Sequence, residues 1–393
     1  MKNRHFCNFY FFYFTSIGVI VPYWGLYLQY LDFSATQIGE LMAILLFTKV
    51  ITPNLWALLA DKVASKNGNS LSILTFAPGF TLISFSAMLL VNQYWSVALV
   101  MFCYCIFWNA CLPQVEAATL NHLNDDRYRY GNIRLWGSLG FIFTVLLVGI
   151  LLDSFGPPII LHASIVCMLS MFLASIVLSK RAKQQQSELI KQQLHTKQQD
   201  HIPLRKLLNK RIIIILALCF FMQLSHAPFY SFYSIFLESY GYSKFHIGGL
   251  WSFGVIFEIL IFLTGHHILK RFKLLSLLSF TFFIAALRWC LVANYPEATA
   301  IMWFGQTLHA LTYGLYHIVM IQIIDQYFKG HYQIRGQALY SSITFGLGGA
   351  IGSVVSGYIW TYYGQTELFN IASGLMFCVM LTSFIFIREY ESN

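Results

Sequence analysis

The chain has 393 residues, 57% of them hydrophobic and only 10% charged. Soluble domains carry about 25% charged residues, so water is not the main solvent and an ordinary soluble protein is excluded. A net charge of +9 would suggest nucleic acid as the partner of a soluble chain; here it is expected to sit in membrane-flanking loops, with no nucleic-acid partner.

Apolar runs long enough to cross the ~30 Å hydrocarbon layer recur from end to end. They predict spans near 6–31, 37–60, 71–92, 95–119, 134–152, 158–179, 212–236, 245–267, 274–294, 298–325, 337–360 and 367–387. The apolar run that follows the opening MKNRH extends to Leu31. It is too long for a cleaved signal and is read as the first span. Residues 181–211 form the one long hydrophilic run, rich in Gln, Lys and Arg. They predict a solvated connector between bundles of residues 1–180 and 212–393. The expected fold is an all-α membrane protein of twelve transmembrane helices in two pseudo-repeated six-helix bundles.

Twelve spans put both termini on one side. All but three of the 25 Lys and Arg fall in the loops and tails of that side, the exceptions being Lys49, Lys244 and Arg288. Basic loops face the cytoplasm, which predicts a bacterial inner-membrane protein with both termini cytoplasmic.

The halves also read alike. Span 2 opens with Ser34, then Ile38, Gly39 and Leu41; span 8 opens with Ser243, then Ile247, Gly248 and Leu250. Each serine is placed to cap a helix N-terminus. The offset is 209 residues and carries Lys49 onto Glu258.

A charge at the bilayer centre costs about 2.5–3.5 kcal/mol on insertion scales, so a charge within a span faces a cavity or another charge. Lys49, Glu258 and Arg288 fall near mid-depth and are expected to line a central cavity or to form a structural ion pair. Span 10 carries His309, Tyr313 and His317 at i, i+4 and i+8, on one helix face. Imidazole titrates near pH 6.5, so this face suits a wet wall and a proton relay. In span 7, Pro228 is expected to loosen the helix beside His226 and Tyr230, candidate ligand contacts. Glu116 and Arg134 fall nearer the cytoplasmic end, as a gating pair or a substrate pair. Trp24 and Trp251 are candidate cavity walls, with packing as the competing role.

The eight cysteines lie in apolar runs without metal-ligand spacing, so no metal site is expected. No Walker loop and no GxSxG occur, so neither an ATP-driven pump nor an enzyme with catalytic residues is expected. A proton gradient, not a cofactor, is the expected energy source.

Several of these stretches carry a resemblance: Pro22-Tyr-Trp24, Ile133-Arg134-Leu-Trp136-Gly-Ser138, His226-Ala227, Gly241-Tyr-Ser243, Leu250-Trp251 with Glu258, Arg288-Trp289, and Leu308-His309 with His317. Together they resemble the phenylpropionate permease family of the major facilitator superfamily. More distantly the chain looks like the lactose permease and nucleoside–proton symporter relatives, in the 18-residue spacing of Glu116 and Arg134 and in Glu258, Arg288 and His309. Thr312, Gln306 and Phe141 stand where the lactose permease has its proton-carrying glutamate, a lysine and a sugar-stacking tryptophan. The resemblance implies a monomeric transporter that takes up a small aromatic carboxylate, such as 3-phenylpropionate, with protons across the lipid bilayer by alternating access. Glu258, His309 and His317 would couple protons. Lys49, Arg288, His226, Tyr230, Tyr313, Trp24 and Trp251 would bind substrate. The alternatives are a nucleoside or oligosaccharide symporter and, more remotely, a membrane sensor or enzyme.

Overall fold

The computed structural model describes residues 3–67, 73–123, 129–189, 208–329 and 332–391. Helices account for nearly all of them: α1 Arg4–Tyr30, α2 Ala35–Asn67, α3 Ile73–Ser86 with a 3-10 turn Ala87–Leu90, α4 Tyr94–Leu123, α5 Tyr130–Phe155 and α6 Ile159–Leu189. The second half adds α7 Lys210–Ser239, α8 Lys244–Arg271, α9 Leu274–Asn294, α10 Thr299–Tyr327, α11 Arg335–Tyr363 and α12 Gln365–Glu391. Eleven are long and apolar enough to span a membrane; α3 is the shorter twelfth, and residues 68–72 just before it lie outside the described residues. Of the predicted connector, the backbone of α6 runs on to Leu189, and residues 190–207 lie outside the described residues.

The repeat is visible atom by atom where α2 and α8 begin. Ser34 Oγ accepts the Gln37 amide while Gln37 Oε1 accepts the Ser34 amide, a reciprocal capping box. Ser243 Oγ accepts the His246 amide in the same way. The preceding turns match at the same 209-residue offset. Asp32 (φ 59°) and Gly241 (φ 82°) both take the left-handed conformation that ends a helix. Their amides donate to Gln29 O and Glu238 O, each at 2.9 Å.

The chain divides into two compact units. The first comprises residues 1–20, 48–144 and 158–206. There α3 packs on α4 and α6, with Phe172 against Gly79. Trp108 donates to Ser16, and Asn109 to Thr48. A side chain on Gly140 would overlap the Phe11 carbonyl, so α1 and α5 touch backbone to backbone.

The second unit comprises residues 21–47, 145–157 and 207–393, so parts of α1, α2 and α5 belong to the same body as α7 to α12. Two crossings hold it. At α2 and α11, a Cβ on Gly39 would lie 2.5 Å from Ser353 O and one on Gly357 would lie 2.6 Å from Ala35 O, while Thr36 and Thr361 hydrogen-bond at 2.9 Å. At α5 and α8, Tyr23 of α1 donates to Val145 O of α5 at 2.8 Å and lies 3.3 Å from Lys244 O of α8. The Asp153 carboxylate accepts the Lys244 and Phe245 amides at 2.8 and 2.9 Å. It thereby caps the start of α8 from another helix.

Pro228 does not break α7, which runs unbroken from Lys210 to Ser239. A proline removes the hydrogen bond to the carbonyl four residues back, here Leu224. That carbonyl sits where Gly352 of α11 has no side chain; a Cβ there would come within 2.8 Å. The neighbouring backbone closes over the gap, as packed membrane helices allow.

Candidate functional site

Two clusters of ionisable side chains lie among the helices, one in each unit. The larger is built from α7, α8, α9 and α10. Arg288 of α9 has no exposed surface. Its planar fork makes four hydrogen bonds: Nε to Gly305 O (3.1 Å), Nη1 to His309 Nδ1 (3.2 Å) and Thr312 Oγ1 (3.4 Å), and Nη2 to Gln306 Oε1 (3.3 Å). Its faces are covered as well. The guanidinium carbon lies 4.4 Å from the Phe229 ring centre and 4.5 Å from that of Trp289. Aromatic faces stabilise a cation by about 0.5–2 kcal/mol each, more when it is desolvated.

These contacts fix the histidine. Arginine can only donate, so His309 Nδ1 accepts and holds no proton. The proton of the neutral ring is therefore on Nε2, which faces Glu258 Oε2 at 3.8 Å. That separation is longer than a hydrogen bond, and a shift of less than 1 Å would make it one. Glu258 of α8, half-buried, thus connects to Arg288 through a single imidazole. Gly254 allows this approach: a Cβ there would meet Gln306 Oε1 at 3.2 Å and the His309 ring at 3.3 Å. Gln306 in turn donates to Tyr233 Oη at 2.6 Å.

The three side chains expected on one face of α10 stack there. The His309 and Tyr313 rings lie 5.5 Å apart at 14°, and those of Tyr313 and His317 6.2 Å apart at 6°. Between them the helix loosens into a π-helical turn over Ala310–Leu315, and α11 does the same over Ser342–Gly348. Such turns recur at functional positions in helices.

Other expected site residues of this unit are packed into the wall. Trp251 donates to Ser234 Oγ at 3.1 Å and lies against Phe229, 4.3 Å between ring centres. Tyr230 is half-buried beside Phe229 and Trp251. His226 is buried, donates from Nδ1 to Met222 O at 2.8 Å, and meets Trp289 edge-on at 4.8 Å. Trp24 is fully buried against Tyr27.

The smaller cluster, in the first unit, joins α1, α4 and α5. Tyr130 donates to Glu116 Oε1 at 3.1 Å. Arg134 interacts electrostatically with Glu116 and lies over the Phe14 ring at 4.0 Å. Gly137 makes room for both: a Cβ there would come within 2.7 Å of Phe14 and 3.0 Å of Arg134 Nη1. Lys49, also of this unit, is exposed. It sits 14 residues past the start of α2, as Glu258 does past the start of α8, about 21 Å along each helix.

Sequence reasoning missed Phe229 and Trp289 as the cage of the buried cation, and Tyr233 as the partner of Gln306. Phe is the most frequent aromatic here, at 36 residues, so position 229 carries no signal of its own. It also missed Gln306 and Thr312 as acceptors for Arg288. Their signals were their place one turn to either side of His309 and their departure from the lactose permease pattern, neither of which names an acceptor for Arg288.

Comparison with known proteins gives one consistent picture. The profile of the family described as MFS_1 like matches residues 5–371. A probable 3-phenylpropionic acid transporter of Escherichia coli K12 is 28% identical over 91% of this chain and 90% of its own length. The maltose permease of Geobacillus stearothermophilus is 25% identical over 89% and 86%. Among solved structures, the nucleoside transporter NupG superposes with a TM-score of 0.81 at 18% identity, covering 98% of this chain and 99% of its own. A bacterial homolog of the lysosomal transporter Spinster gives 0.69 at 13% identity.

Proposed function

This chain belongs to the MFS_1 like family of membrane transporters, and on that premise we propose that it takes up a small aromatic carboxylate, such as 3-phenylpropionate, together with a proton. It is a multi-pass transporter of a small molecule, not an enzyme, and needs no cofactor. Uptake across a bacterial inner membrane, with both termini cytoplasmic, is the reading that the basic loops support.

The observation that carries the coupling is the line from Glu258 through His309 to Arg288. A proton on His309 Nδ1 would face an arginine N–H, so this histidine orients and Glu258 carries. An inside-negative potential opposes an anion by ~2.3 kcal/mol per 100 mV, and a proton carried with it removes that opposition. Arg288 already spends four N–H groups on the protein, which leaves the exposed Lys49 as the better partner for a substrate carboxylate. The substrate class is supported by the relative named for 3-phenylpropionic acid.

Alternating access requires the second unit to open along its own seams. The α2–α11 and α5–α8 crossings join parts of the N-terminal half to the C-terminal helices, and these are the contacts that would part.

Uptake into proteoliposomes tests the proposal. Labelled 3-phenylpropionate should accumulate under an inward proton gradient and stop accumulating when a protonophore collapses it. Accumulation that persists after collapse would rule out proton coupling. Competition by maltose or nucleosides, with none by aromatic acids, would move the substrate to a sugar or nucleoside held by Glu116 and Arg134.

A further inference from the structure

A cavity of about 300 Å³ opens where α7 and α9 begin and α10 ends, lined by Arg211, Leu274, Leu275, Ile323, Gln326 and Tyr327. It shares no residue with either ionisable cluster. We propose that it holds the phosphate of an anionic phospholipid.

The lining divides by chemistry. Arg211, Gln326 and Tyr327 offer a guanidinium, an amide and a phenol. Leu274, Leu275 and Ile323 supply apolar surface for the start of an acyl chain. Arginine presents a planar fork that matches phosphate oxygens. Exposed Lys210 and Lys273 flank it in sequence, beside Arg211 and Leu274. The nearest acid along the chain, Asp325, accepts a hydrogen bond from Gln337 at 3.2 Å.

The start of α9 adds to the cavity. Its first intrahelical bond runs from the Leu277 amide to Lys273 O, and Lys273 supplies no side-chain cap. The amides of Leu274 and Leu275 therefore precede that bond, at the positive end of a 21-residue helix. A basic cleft between helix ends at the membrane surface is the form that anionic head groups recognise. The apolar half of the lining favours a lipid over free phosphate.

Lipid titration of the purified full chain in detergent tests this, read by melting temperature and by native mass spectrometry. Phosphatidylglycerol should raise the melting temperature and bind; phosphatidylcholine and inorganic phosphate should do neither at the same concentration. Arg211→Gln should weaken phosphatidylglycerol binding about fivefold, the worth of one basic residue at an anionic surface. Equal effects of phosphatidylcholine and phosphatidylglycerol would overturn the proposal, as would unchanged binding in Arg211→Gln. Stabilisation by inorganic phosphate alone would assign the cavity to free phosphate and overturn the lipid. Should Arg211→Gln not fold, a photoreactive phosphatidylglycerol on the unaltered chain decides. Adducts on residues 208–213, 274–276 or 323–327 support the site, and adducts confined elsewhere refute it.

Discussion

Both ionisable clusters hold a carboxylate and an arginine, but the side chain that faces the carboxylate is a phenol in one and an imidazole in the other. In the first unit Tyr130 donates to Glu116, and Arg134 rests on Phe14. In the second His309 stands between Glu258 and Arg288, and Arg288 is sealed by Phe229 and Trp289. The phenol of Tyr130 gives its one O–H to Glu116, whereas the imidazole of His309 takes an Arg288 N–H on Nδ1 and turns Nε2 toward Glu258. The first arrangement can hold a charge in place. The second turns an imidazole N–H toward the carboxylate proposed to carry the proton. The same pair of charges is therefore given two tasks by the group that faces the carboxylate.

The largest effect that would break this comparison is on the carboxylates. Glu258→Gln should lower uphill accumulation in proteoliposomes by about a hundredfold, the scale of losing one positioned proton-transfer group. Exchange of internal for external substrate should survive, because it needs no net proton movement. Glu116→Gln should weaken both modes together. Loss of exchange in Glu258→Gln, with coupling intact in Glu116→Gln, would reverse the assignment.

The arginines give the next effect. Lysine keeps the charge but has no planar fork. Arg288→Lys gives up part of a four-bond arrangement, and hydrogen bonds to charged groups contribute about 1.5–3 kcal/mol each. Accumulation should fall about tenfold or more in that variant. Arg134, held largely over a ring, should tolerate lysine with a change of only a few fold.

A sharper cut comes from the phenol and the imidazole themselves. Tyr130→Phe removes one hydrogen bond, worth about 0.5–1.5 kcal/mol, and should scale transport down evenly across pH 5.5–8. His309→Gln keeps a polar side chain but removes the ring that accepts from Arg288 and faces Glu258. The shape of its pH profile, not only its height, should change. Identical profiles in the two variants would mean that the phenol and the imidazole serve one task.

How much of this was written in the sequence depends on periodicity. Long apolar runs, the Ser34 and Ser243 caps and the 209-residue repeat are local signals, and the helices follow them. Glu258, Arg288 and His309 stood out because a charge or an imidazole in an apolar helix is expensive. What surrounds them did not stand out. Phe229 and Trp289 look like any other aromatic of an oily chain until packing brings them onto the guanidinium. The π-helical turns over Ala310–Leu315 and Ser342–Gly348 have no composition of their own. The compact units also cut across chain order, because outlying parts of α1, α2 and α5 pack on the later helices, a tertiary choice that no span boundary announces.

The smallest effect compares the two helix starts of the repeat. At α2 the cap is self-contained: Ser34 and Gln37 satisfy each other. At α8 it is shared, since Ser243 accepts the His246 amide while Asp153 of α5 accepts those of Lys244 and Phe245. Removing a serine cap typically costs about 1 kcal/mol. Ser34→Ala should show that full cost as a lower melting temperature. Ser243→Ala should cost less, because two of the amides at that helix start keep their carboxylate. Asp153→Asn then carries the rest of the comparison. It weakens a charge-assisted cap and loosens the α5–α8 crossing with it, so it should lower the melting temperature more than Ser243→Ala does. It should also speed exchange, if parting of that crossing limits the cycle. Equal losses for the two serine variants, with none for Asp153→Asn, would show that the carboxylate adds nothing to the helix start beyond what its own serine provides.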